Sequence, residues 1–175
     1  MTWSTAPDDP NSRNEKGETA LTRSADVASA LQLIHLGARV RFEEPEDGDT
    51  SLHNACYDGK LDLVKLLVEE GSGESEINRF NYLGMSPLGI AAQQGDTELI
   101  GYPIKNGADI DGVDEGCIGY TPLQWALEKR QLSAARLLLD LGANPSFSIG
   151  LHASPLEIAR EIGPQAMSLC REWTD

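Results

Sequence analysis

Catalysis or metal binding needs nucleophiles, bases or ligands at workable spacing, so the three histidines and three cysteines are read first. His35, His53 and His152 share no local spacing with cysteines or carboxylates that would make a metal site. Cys56, Cys117 and Cys170 stand far apart, and none has neighbours that would activate a thiolate. An odd cysteine count is no disulfide framework and fits a reducing cytosol. The run Asp109-Ile110-Asp111-Gly112-Val113-Asp114 places three carboxylates close together. Its glycine is misplaced for an EF-hand, and no glutamate closes a 12-residue loop, so it reads as an ordinary connecting loop. The chain holds no glycine-rich phosphate loop, no G-x-S-x-G and no HExxH. These residues predict no catalytic, metal or cofactor site, and a protein that is not an enzyme.

The elements that carry these residues are set by a chain of 175 residues with 28 acids and 14 bases, a net charge of −14. That length predicts one domain with a real core. The acidity disfavours nucleic-acid binding, which needs a basic face. No apolar run is long enough for a transmembrane helix, and the N-terminus lacks the basic and apolar regions of a secretory signal, so a cytoplasmic location is expected. Charge is uneven: residues 43–76 hold 11 acids and 2 bases. Such a segment is either a solvated face or a surface that meets a basic partner, whose approach it would steer.

Self-similarity organises the rest. Thr50-Ser51-Leu52-His53-Asn54-Ala55 aligns with Ser86-Pro87-Leu88-Gly89-Ile90-Ala91, with Thr121-Pro122-Leu123-Gln124-Trp125-Ala126 and with Ser154-Pro155-Leu156-Glu157-Ile158-Ala159. Gly48, Gly84 and Gly119 precede three of these starts by two positions, and Gly59, Gly95 and Gly163 follow three of them by nine. Gly71, Gly107 and Gly142 each lie 21 residues after a start. Thr or Ser before Pro-Leu is a helix N-cap, with proline at the first helical position, where its missing N–H costs nothing. The glycine nine residues on lets the chain reverse between two helices.

The pattern resembles the ankyrin repeat over nearly all of residues 15–173. The resemblance implies an all-α solenoid of stacked helix-turn-helix units with finger loops. Five units are expected, near 15–45, 46–81, 82–116, 117–149 and 150–175, with residues 1–14 a flexible leading segment. Unit 1 is degenerate, because Thr19 to Gly37 is three residues short, so its first helix should be short. Unit 5 lacks the closing Gly-Ala and reads as a cap. Two loops are enlarged, one between Gly71 and Asn78 around Glu74 and one between Asp111 and Thr121. Pro103 falls where the family has a leucine inside a second helix, and should kink or shorten it. His53 fills the family's histidine slot, where it bonds loop backbone. His35 belongs on the outer face of a second helix, Cys56 and Cys170 in packed helices, and Cys117 in an enlarged loop.

Family members bind other proteins through finger tips and the exposed side of the first helices. Carried over, this gives Glu46, Asp47, Asp49, Tyr57 and Asp58 in unit 2. Unit 3 gives Tyr82, Leu83, Met85, Gln93 and Gln94, and unit 4 gives Ile118, Tyr120 and Glu128. Tyrosines and aliphatics flanked by acids have the composition of an interface. Packing of Leu83, Met85 and Ile118 between fingers is the competing reading. The expected function is a small inhibitor resembling an immunity protein or antitoxin, monomeric when free, whose acidic, tyrosine-bearing concave face occludes the active site of a basic protein such as a toxin or other enzyme. A general scaffold or targeting adaptor, and an acidic nucleic-acid mimic, are the alternatives.

Overall fold

A computed structural model of the chain describes residues 9–41, 43–70, 74–114, 116, 119–149 and 153–173. Cys117, Ile118, His152, Gly71 and the side chain of Glu74 lie outside what is described. The described residues form α1 (Val27–His35), α2 (Ser51–Tyr57), α3 (Leu61–Glu70), α4 (Glu74–Ile77), α5 (Pro87–Gln94), α6 (Thr97–Lys105), α7 (Pro122–Glu128), α8 (Leu132–Asp140), α9 (Pro155–Ile162) and α10 (Pro164–Arg171). No strand occurs among them; a single bridge joins Arg13 and Thr19.

The helices stack in two layers. First helices α2, α5, α7 and α9 pack in series to form one layer, and second helices α1, α3, α6, α8 and α10 form the other. Caps fix where the first helices begin. Ser86 Oγ accepts from the Gly89 amide at 3.1 Å, Thr121 Oγ1 from Gln124 at 3.2 Å and Ser154 Oγ from Glu157 at 3.3 Å. Leu52, Leu88 and Leu123 fill the same slot and are all buried, as are Leu67 and Leu138 from the second layer.

Chain reversal follows the glycine spacing with one exception. Gly59 and Gly95 adopt φ of 68° and 80°, and in unit 4 the same place is taken by Arg130 at 57°. The bonds are conserved nonetheless: Gly59 donates to Cys56 O and Lys60 to Ala55 O, as Arg130 donates to Leu127 O and Gln131 to Ala126 O.

Several expectations change. The first helix of unit 1 is only a turn, closed by reciprocal Thr19–Thr22 hydrogen bonds. In its place lies a cavity of about 220 Å³, between Leu21–Ala25 and the Ser51, Asn54, Ala55 and Asp58 face of α2. The corresponding α5 face carries Pro87, Ile90, Ala91 and Gln94, so α2 is polar where it has no helix before it. Within residues 9–14, Asn11 donates to Gly37 O and accepts from the Arg39 amide. The enlarged loop after α3 contains helix α4, whose Ile77 and Glu76 are buried. Of the two effects expected of Pro103, shortening does not occur: the residue is buried, and α6 continues past it to Lys105 with nine residues, as many as α8. Its carbonyl closes the helix by accepting from Asn106 and Ala108.

Candidate functional site

His53 links unit 2 to unit 3. Its Nδ1 accepts from the Thr50 amide at 3.2 Å, and Nε2 lies 3.1 Å from Met85 O, so the proton resides on Nε2. Burial of the ring pushes its pKa down to about 4, and it is neutral at pH 7. Gln124 does the same between units 4 and 5: Oε1 accepts from Thr121 N and Nε2 donates to Ala153 O, both at 2.6 Å. Unit 3 has Gly89 in this slot, and the Trp125 indole fills the space, with Cδ1 3.3 Å from where a Cβ on Gly89 would stand. Trp125 Nε1 is buried without a partner among the described residues.

These links position finger 2 (residues 43–49) against finger 3 (residues 81–85). Asn81 is the pivot, and it is buried. Its Nδ2 donates to Asp49 Oδ1 at 2.8 Å, and its Oδ1 accepts from the amides of Leu83 and Met85 at 3.1 and 2.9 Å. The Tyr82 amide donates to Asp47 O at 2.7 Å. Tyr82 and Leu83 are thereby held outward, 57% and 62% exposed. The Tyr82 ring lies on Gly48, whose absent Cβ would stand 2.6 Å from it at a φ of +74°.

Asp49 and Met85 are corrections to the expected contact list. Both are interior, 6% and 2% exposed: Asp49 lies under Asn81 of finger 3, and Met85 lies against His53 and Tyr57 of α2. Desolvation pushes the Asp49 carboxyl up to about 6, aided by the nearby charges of Asp47 and Glu44 and opposed by the Asn81 hydrogen bond. Glu44 is also raised by burial and accepts from Asn54 Nδ2 at 2.8 Å. Finger 2 carries five acids and no base; Glu43 pairs with Arg79, whereas no Lys or Arg pairs with Glu46, Asp47 or Asp49 among the described residues.

The other expected positions sit as follows. Tyr57 is half-buried, its hydroxyl 3.8 Å from Met85 Sδ, and its carbonyl accepts from Gln94 Nε2 at 2.9 Å. Asp58 is exposed and paired with Lys60 at 2.6 Å. Tyr120 stacks tilted on Trp125, ring centroids 5.2 Å apart. Glu128 and Gln94 are exposed, and Gln93 is half-buried. The structure thus joins Asp47, Tyr57, Tyr82 and Leu83 into one neighbourhood and places Tyr120 in another, beside Trp125. Asn81, Gly48 and Trp125 were missed. Asn81 could have been found as an Asn five residues before a cap, the kind of residue that bonds turn backbone.

Elsewhere the titratable groups serve the scaffold. Cys56 and Cys170 are buried, with thiols pushed up to about 12 and about 11. His35 is exposed on α1. Asp109 Oδ1 accepts from the Asp111 amide, and the Asp111 carboxylate from the Asn144 amide at 3.0 Å, so this run binds neighbouring backbone. No described helix is long and apolar enough to cross a membrane.

Comparison with known proteins agrees with this architecture. The family described as ankyrin repeats (3 copies) matches at residues 24–114 and 73–148. The chain belongs to the ankyrin-repeat family. It is 32% identical over 131 residues to the B-cell lymphoma 3 protein homolog of Mus musculus, covering 73% of this chain and 29% of that protein. It is 31% identical over 141 residues to ankyrin repeat and SOCS box protein 6 of Homo sapiens, covering 77% and 31%. A match to tyrosine-protein kinase HTK16 of Hydra vulgaris, 28% identical, covers 54% of this chain and 12% of that one. The ankyrin chain therefore spans less than a third of the length of these relatives. Ankyrin repeats generally mediate protein–protein interaction, and that coarse function extends to this chain.

Proposed function

We propose that this ankyrin module is an inhibitor, resembling an immunity protein or antitoxin, that neutralises a basic protein by occluding its active site. One observation carries this reading: an exposed Tyr82–Leu83 pair stands beside an acidic finger whose Glu46 and Asp47 have no basic partner among the described residues. Carboxylates without a basic neighbour complement bases on another molecule, and aromatic side chains anchor interfaces. Occlusion needs no chemistry from the inhibitor, only a rigid surface, which the Asn81 and His53 bonds supply. The test is purification from the native host with the co-purifying protein, followed by an assay of that protein's activity with and without this chain. Activity unchanged at saturating chain would end the inhibitor reading.

A targeting adaptor is the second reading, favoured by the relatives' length. The part of each that this chain matches is less than a third of it, and one is named for a SOCS box besides its repeats. An adaptor would leave its partner active and move it.

A further inference from the structure

We infer that the crest formed by Glu46, Asp47, Tyr82 and Leu83 docks a partner segment in which an apolar side chain is flanked by arginine or lysine. This rests on the proposal that the partner is a basic protein, and narrows it to one surface and one kind of segment.

The crest is exposed but not loose. Leu83 and Met85 give their amides to the Asn81 side chain, Tyr82 gives its amide to Asp47 O, and Gly84 gives its own to Asn81 O. An apolar pair held outward by such bonds loses little conformational freedom on binding, which favours affinity. The Tyr82 ring rests on Gly48, and more than half of the residue faces solvent. A guanidinium or ammonium over an aromatic face gains cation–π attraction, and Asp47 beside it supplies a carboxylate. Leu83 is the apolar neighbour, so the complementary segment alternates a cation with an aliphatic or aromatic side chain.

The interior beneath supports the same charge. Asp49 is buried under finger 3 and faces Asp47 and Glu44 from its own loop, Tyr57 from α2 and the uncharged Asn81. His53, also from α2, is neutral. Only the Asn81 hydrogen bond favours the Asp49 charge, and none of these groups carries a positive charge to offset it. A cation arriving at Asp47 offsets part of that repulsion, so docking should be linked to loss of a proton from Asp49 and should tighten as pH rises from 5 to 7.

The experiment uses the full chain labelled with nitrogen-15 and two synthetic hexapeptides, one alternating Arg and Leu, the other Arg and Ser. Amide shifts are followed at pH 5 and pH 7. The expected result is shifts confined to Asp47, Gly48, Tyr82 and Leu83, with the Arg/Leu peptide about tenfold tighter than Arg/Ser. Leu83→Asp and the pair Glu46→Gln/Asp47→Asn should each weaken it by about fivefold or more. Leu83 is largely in solvent, so that variant keeps its fold. The pH dependence should flatten in Asp49→Asn. Shifts spread over Asp62, Glu69 and Glu70, or equal affinity for both peptides, would overturn the assignment. The two proposals fail separately. A co-purified partner inhibited equally by Leu83→Asp would discard the crest and keep the inhibitor. A peptide held at the crest beside an uninhibited partner would do the reverse.

Discussion

At the scale of single residues, two buried groups titrate in opposite directions. Asp49 has a folded pKa of about 6, above its ordinary 3.8, so the native state favours its proton. Its contribution to stability is greatest at low pH and is lost as pH rises from about 4 through about 6. His53 is depressed from 6.5 to about 4, so its contribution is full above pH 6.5 and is lost as pH falls toward 4. Over the same window the two oppose one another. Asp49→Asn keeps an oxygen for Asn81 and removes the charge, and is expected to stabilise the protein at pH 7 by about 1–3 kcal/mol. Near pH 4 the gain should vanish. Urea melts of both forms at pH 4, 5.5 and 7 read this directly, and a gain that persists at pH 4 would mean that the charge is not its source. His53→Gln puts in unit 2 the residue that makes the same pair of links from unit 4. It should fold, and its stability should fall less on acidification than that of the parent.

At the scale of the element, Arg130 and Pro103 each break a rule that the other units keep. Arg130 occupies a left-handed turn where its counterparts are glycine. A side chain there costs roughly 1–2 kcal/mol, against about 0.5–1 for the extra unfolded-state freedom of glycine. Arg130→Gly is therefore expected to gain about 0.5–1 kcal/mol, read as a small rise in melting temperature; a fall would show that the arginine side chain makes a compensating contact. Pro103 sits where Leu67 and Leu138 are buried, and lacks the N–H that would reach the Leu99 carbonyl. Pro103→Leu should stabilise by roughly 1–3 kcal/mol, the scale of a proline in a helix interior. An unchanged denaturation midpoint would mean that the helix already accommodates it. Here the reach of sequence reading is visible. Caps, leucines and reversal glycines were legible because each answers to a local rule of backbone geometry. The loss of unit 1's first helix was legible only as a spacing deficit. The outward position of Tyr82 and Leu83 and the burial of Asp49 and Met85 were not separable, because the repeat assigns all four to finger tips. What divides them is the pivot at Asn81, a contact 32 residues away from Asp49. Nor did the repeat foresee Trp125 taking the room left by Gly89, since a missing side chain leaves no mark on the pattern.

At the scale of the whole molecule, the charge distribution makes the solenoid electrically lopsided. Residues 43–76 carry 11 acids and 2 bases, whereas residues 120–175 carry 6 and 5. In a solenoid each unit touches only its neighbours, so repulsion stays where it arises rather than being averaged through one core. Finger 2 is the focus, with no basic partner for Glu46, Asp47 or Asp49 among the described residues and Asp49 buried at the joint to finger 3. Screening shortens the reach of such repulsion to about 10 Å at 0.1 M salt and about 3 Å at 1 M. Raising sodium chloride from 0.05 to 0.5 M should therefore stabilise the molecule, by about 1 kcal/mol or more given a net charge so far from zero. The gain should be local. Amide hydrogen exchange should slow with salt in α2, finger 2 and residues 81–85, and change little in α8, α9 and α10, where acids and bases nearly balance. Glu46→Gln/Asp47→Asn should reproduce much of the salt effect in low salt and leave little for added salt to do. Uniform slowing along the whole stack would instead point to a general salt effect on burial, and would remove finger 2 as the seat of the strain.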